Sequence, residues 1–163
     1  GFAESLLFGT VAAVVSYIPI GIFSSKLGRK KIILIGLIAM TAAFTVASFI
    51  NSYNFVMYLV LIAVGFGWAA INVNSYPMVV EMSKGSDIGR YTGLYYTFSM
   101  SAQVATPIIS GLLIDLLPVG YRVIFPYAAL FSVLAIVTMC FVNHGDAKPE
   151  QKSSLLEHIG AED

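Results

Sequence analysis

The sequence predicts an all-α membrane protein with five transmembrane helices, and three observations lead there. Of 163 residues, 58% are hydrophobic and 11% are charged, whereas a water-soluble domain carries roughly 25% charged residues. The apolar residues gather into five runs, near 2–22, 32–50, 55–80, 91–117 and 122–142, each close to the ~20 residues that span a hydrocarbon layer. The runs are continuous, which excludes barrel strands, whose lipid and lumen faces alternate over about ten residues.

The first two runs are separated by Gly21-Ile-Phe-Ser-Ser-Lys-Leu-Gly-Arg-Lys-Lys31, with Lys26, Arg29, Lys30 and Lys31 inside six positions. Each cation costs about 2.5–3.5 kcal/mol at the centre of a membrane helix, so 23–31 is expected as a short loop in water. The connections 51–54, 81–90 and 118–121 are also short and make consecutive helices antiparallel neighbours. Alternating the faces then puts Lys26, Arg29, Lys30, Lys31, Lys84, Arg90, Lys148 and Lys152 on one side and Arg122 alone on the other. Because cytoplasmic loops carry the excess of Lys and Arg, the basic side is expected in the cytoplasm of a multi-pass cell-membrane protein. Residue 1 then lies outside. Residues 1–142 form the transmembrane region, and 143–163, which contain Pro149, a solvated cytoplasmic tail.

Several chemistries are excluded. The lone Cys140 allows no internal disulfide and no multi-cysteine metal site, and His144 and His158 both follow the last apolar run. No paired acids, embedded histidine, nucleophile motif or phosphate-cradling glycine loop occurs in the spans, so neither an enzyme nor a cofactor or metal is expected. Basic residues are confined to the membrane-proximal connections, as topology requires, and do not point to nucleic acid. Gly1-Phe2-Ala3-Glu4 lacks the basic start of a signal peptide and an initiating Met. A run beginning almost at residue 1 predicts a piece of a longer protein.

Polar residues are unevenly shared. The second helix carries only Thr41, Thr45 and Ser48, and the fifth little beyond Tyr127, Ser132 and Thr138. Hydroxyls back-bond to their own helix, so both helices face lipid at small cost. The second also has an Ala39-x-x-x-Ala43-x-x-x-Ala47 ridge suited to close packing. The fourth helix differs. Thr92, Tyr96, Ser99, Gln103, Thr106 and Ser110 recur at spacings of three and four and share one face. A polar stripe along a whole span faces either a water-filled cavity or a hydrogen-bonded seam with another helix. Pro107, four residues after Gln103, removes a backbone donor and favours a kink.

In the third helix Trp68, Asn72 and Tyr76 lie roughly on one face, with Asn74 on another. An indole face beside a carboxamide suits a sugar, whose C–H surface stacks while its hydroxyls pair; a packed indole and an asparagine bonded to a neighbouring helix is the alternative. Gly65 and Gly67 permit close packing or bending. Glu4 and Asp115, the acids of the outer side, are candidates for carrying a coupling proton, against the plainer reading of solvated interfacial carboxylates. Glu81 and Asp87, flanked by Lys84 and Arg90, form a mixed-charge inner connection whose ion pairs would latch an inner gate; ordinary surface charge is again the alternative.

Gly21-x-x-x-Ser25-Lys26-x-Gly28-Arg29-Lys30-Lys31 resembles the signature loop of the major facilitator superfamily, although the family's Asp falls on Ser25. The order of helices and loops is similar to helices 8 to 12 of that twelve-helix fold. Asn72-x-Asn74-Ser75-Tyr76-Pro77, Gly89-Arg90-x-x-Gly93 and Gln103-x-x-x-Pro107-x-x-x-Gly111 resemble its sugar-carrying branch of sucrose-type and glycoside–cation symporters. The resemblance implies a secondary active transporter that moves a small polar solute, a sugar, by alternating access, coupled to a proton or cation. It also implies an N-terminal half beyond this chain as partner. Trp68, Asn72, Tyr96, Ser99 and Gln103 are the expected substrate-binding residues. Gly21, Gly28, Arg29 and Lys30 would form the inner hinge loop, and Pro107 and Gly111 would let the fourth helix bend. A stand-alone helical scaffold or partner-binding subunit, using the Gln103 stripe and the alanine ridge as seams, is the second reading.

Overall fold

The computed structural model describes residues 2–50, 55–83 and 87–145. Five helices run through them: α1 (Phe2–Leu27), α2 (Arg29–Phe49), α3 (Phe55–Met82), α4 (Ile88–Leu116) and α5 (Ile124–Phe141), the last entered through a single 3-10 turn, Gly120–Val123. All five are long and apolar enough to cross a membrane, as the composition predicts. The 51–54 connection, Lys84 and the tail from 146 lie outside the described residues.

The basic stretch differs from expectation. Rather than a loop over 23–31, α1 continues to Leu27 and α2 begins at Arg29, leaving Gly28 as the only non-helical residue between them. Charged residues are no obstacle to helix once the chain has left the apolar layer; what breaks it is backbone geometry. Gly28 has φ 93°, a left-handed conformation that side chains disfavour and glycine adopts freely.

α3 is the centre of the bundle. α1 and α2 pack along two sides of it, and α5 packs along α2 beside the α2–α3 seam. Lipid offers no hydrophobic drive for helix association, so close approach through small residues supplies the packing energy. Gly65 meets α1: a methyl group there would strike the carbonyl oxygen of Gly9. Gly67 meets α2, where a Cβ would lie 2.6 Å from the Gly36 carbonyl oxygen. Two glycines two positions apart thus admit two neighbours, and both serve close packing.

Three buried clusters follow. Ala13 and Ile20 of α1 meet Ile32 of α2 and Ala69 and Ala70 of α3. Ile33 and Leu37 of α2 meet Met78 of α3, with Ala135, Ile136 and Met139 of α5 against them. Ala43 and Ala47 of the alanine ridge meet Val60, with Phe125 of α5 alongside. The hydroxyls of Thr41, Thr45 and Ser48 all return to carbonyls of their own helix, as does that of Thr138 in α5. The outward sides of α2 and α5 keep exposed apolar rows such as Ile35, Ile38 and Phe49, and Leu130, Leu134 and Phe141.

α4 stands apart. It runs unbroken through Pro107, yet none of its residues is buried. It touches α3, and its end leads through Leu117 and the 3-10 turn into α5.

Candidate functional site

At the end of the bundle that carries Gly28, three cations occupy the first turn of α2, where the partial positive charge of a helix N-terminus disfavours them. Two of them, Arg29 and Lys30, find partners at the ends of other helices. Arg29 forms an ion pair with Glu81 in the last turn of α3. Lys30 donates from Nζ to the carbonyl oxygen of Cys140 at 3.0 Å, in the last turn of α5. Helix C-termini are the electronegative ends, so the cations bind α2, α3 and α5 together there. Glu81 therefore pairs across helices with Arg29; its expected neighbour Lys84 lies outside the described residues. Ser25, at the position where the family places Asp, turns its hydroxyl to the Ile22 carbonyl. Gly21 sits within α1 with open space where a side chain would go.

The expected binding residues lie on the side of α3 away from α2. Trp68 is 53% exposed and borders a groove of about 280 Å³ between α1 and α3, lined also by Thr10, Val14, Tyr17 and Val64. One turn on, Asn72 is exposed and donates from Nδ2 to the Trp68 carbonyl at 2.9 Å. Asn74 points the other way. It is 1% exposed, its Nδ2 donates to the Ala70 carbonyl, and its Oδ1 makes no hydrogen bond among the described residues.

On α4, Gln103 donates from Nε2 to the Ser99 hydroxyl at 3.3 Å, and both belong to a stripe that no other described helix buries. Tyr96 joins α4 to α3, its ring 5.9 Å from that of Tyr76. Tyr96 and the Trp68–Asn72 face are thus linked through Tyr76. No hydrogen bond or ring contact among the described residues brings Trp68 or Asn72 to Ser99 or Gln103. Gly111 has open space around it, like Gly21. Glu4 and Asp115 are both exposed, in the first turn of α1 and the last two turns of α4, at the end of the bundle opposite Gly28. No group of histidine, cysteine or acidic residues suited to a metal ion occurs among the described residues.

A family model, Major Facilitator Superfamily, matches residues 3–159. The chain belongs to that superfamily. No curated protein matches it. As a superfamily chain it is a multi-pass membrane transporter of small solutes. Three contacts of this transporter lie beyond sequence reasoning: Arg29 with Glu81, Lys30 with Cys140, and Ser75 with Tyr95. Nothing in the pattern pairs Arg29 with Glu81, because their meeting depends on how α2 lies on α3. The hydroxyls of Ser75 and Tyr95 lie 2.9 Å apart, across α3 and α4. The tandem Ser75-Tyr76 and Tyr95-Tyr96 pairs are the signal that held them.

Proposed function

We propose that this chain supplies helices eight to twelve of a twelve-helix secondary transporter that carries a neutral, hydroxyl-rich solute, a sugar, by alternating access. One observation carries the reading. The faces that α3 and α4 leave uncovered bear aromatic, amide and hydroxyl groups (Trp68, Asn72, Tyr96, Ser99, Gln103), and no charged residue lies on α3 between Phe55 and Val80 or on α4 between Tyr91 and Ile114. A wall of this kind offers ring faces and neutral hydrogen-bonding groups. It suits a polyol and gives an ionic solute no partner. α2 and α5, with apolar outer sides, would stand toward lipid.

The Gly28 end would face the cytoplasm, where its cations are favoured, and the far end the exterior. Gly28, Arg29 and Lys30 would act with Gly21 as the inner hinge, released when the ion pair to Glu81 opens. Pro107 and Gly111 would let α4 bend as the cavity changes sides. Glu4 and Asp115 are the carboxylates of this chain placed to take a coupling proton from outside.

Uptake of a labelled sugar panel into vesicles bearing the complete transporter, with and without a proton gradient, tests the reading. Gradient-driven accumulation of one sugar is expected. No uptake of any sugar by a folded, inserted transporter would overturn the sugar assignment and leave superfamily membership intact.

A further inference from the structure

The tyrosines between α3 and α4 form a cluster beside a helix that buries no residue among those described. The rings of Tyr76 and Tyr95 lie 5.7 Å apart, those of Tyr76 and Tyr96 5.9 Å, and those of Tyr95 and Tyr96 5.3 Å in an edge-to-face pair. The Tyr95 hydroxyl is engaged by Ser75. The hydroxyls of Tyr76 and Tyr96 make no hydrogen bond among the described residues, although a tyrosine away from water normally finds a partner for its O–H. Tyr96 is 47% exposed. The cluster therefore presents ring faces, and two phenol groups that no described residue engages, to whatever lies against α3 and α4.

We propose that Tyr76 joins Tyr96 to extend the solute site toward the Gly28 end, where it takes a hydroxylated ring: its C–H face lies on the phenol rings and its hydroxyls pair with the phenol groups of Tyr76 and Tyr96. Tyr95, fixed by Ser75, is a positioning residue that holds Tyr96 edge-on and touches no solute. The subsite rests on the sugar reading above and deepens it.

Two features set it apart from the Trp68 end of that site. Trp68 precedes Tyr76 by two turns, roughly 12 Å of helix rise, and borders the α1 groove whereas Tyr76 faces α4. A ring seated on Trp68 does not reach the tyrosines. No charged residue lies within one helical turn of Tyr76, Tyr95 or Tyr96 on its own helix.

The test uses the complete transporter and whichever of labelled glucose, maltose and sucrose the wild type takes up, with the monodeoxy analogues of that sugar. Tyr76→Phe keeps the ring and is expected to raise KM for the parent sugar about three- to tenfold, with no effect on the analogue lacking the bonded hydroxyl. Tyr76→Leu removes the ring face and is expected to raise KM for every analogue, by about tenfold. Tyr95→Phe is expected to raise KM as Ser75→Ala does, and the double variant to be no worse than either single one. A purely structural cluster would change all sugars alike in Tyr76→Phe, and that result overturns the subsite. So do KM values within about twofold of wild type for Tyr76→Phe in a transporter that carries sugar normally. If Tyr76→Leu does not fold, Tyr76→Phe with the deoxy series decides alone. A wild type that carries no sugar at all brings down the sugar reading first, and the subsite with it.

Discussion

Arg29 in the first turn of α2 and Glu81 in the last turn of α3 form an ion pair across the Gly28 end of the bundle. The side chains remain 23% and 37% exposed, so the pair contributes at most about 1 kcal/mol. That is too little to hold the fold together and enough to bias two conformations.

Arg29→Ala is accordingly expected to leave thermal stability within about 1 kcal/mol and to change the transport rate about fivefold or less, with substrate preference unchanged. Arg29→Glu combined with Glu81→Arg should recover much of the rate. Uptake kinetics across a solute panel check this; an altered preference would contradict a role in the hinge.

The glycines divide into two groups. Gly65→Ala places its methyl on the Gly9 carbonyl oxygen, and overpacking of this kind is expected to cost about 1–3 kcal/mol. Gly21→Ala and Gly111→Ala meet open space and should stabilise their helices by up to ~1 kcal/mol. If Gly21 and Gly111 serve motion, transport by these two variants falls while stability rises. Melting curves in detergent alongside uptake separate the two effects.

Asn74 places in the packed interior a carbonyl oxygen with no hydrogen-bond partner among the described residues. An unsatisfied buried polar group costs about 1–3 kcal/mol. Asn74→Leu, similar in size, is therefore expected to melt at the same or a higher temperature than the wild type. A lowered melting temperature would show that the oxygen has a partner in the assembled transporter.

Asn72→Leu and Gln103→Leu alter exposed side chains, so stability should stay within about 0.5 kcal/mol while sugar uptake is lost. Normal uptake by both variants, measured at matched expression, would remove these residues from the site.

Much of the architecture is visible in the sequence because the membrane imposes it locally. Five apolar runs of spanning length become five helices, whose boundaries shift only where the hydrocarbon limit and the helix end part company. α1 and α2 thus run on through the basic stretch to Gly28. The back-bonding hydroxyls of α2 and the opposite directions of Asn72 and Asn74 also follow from helical periodicity alone. So does the common face of Tyr96, Ser99 and Gln103.

Other features belong to the tertiary structure. Periodicity says which residues share a face, but not which helix lies against it. Gly65 and Gly67 read equally as hinge or contact from the pattern alone, and the close approach of α1 and α2 makes them contacts. Arg29 found Glu81, Lys30 found the end of α5, and Tyr95 found Ser75 because α2, α4 and α5 stand where they do around α3. Approximate span length and facial pattern are properties of a single helix and its solvent, and they can be read directly from the residues. Pairing across helices depends on small differences in packing and mutual approach, which only the assembled bundle decides.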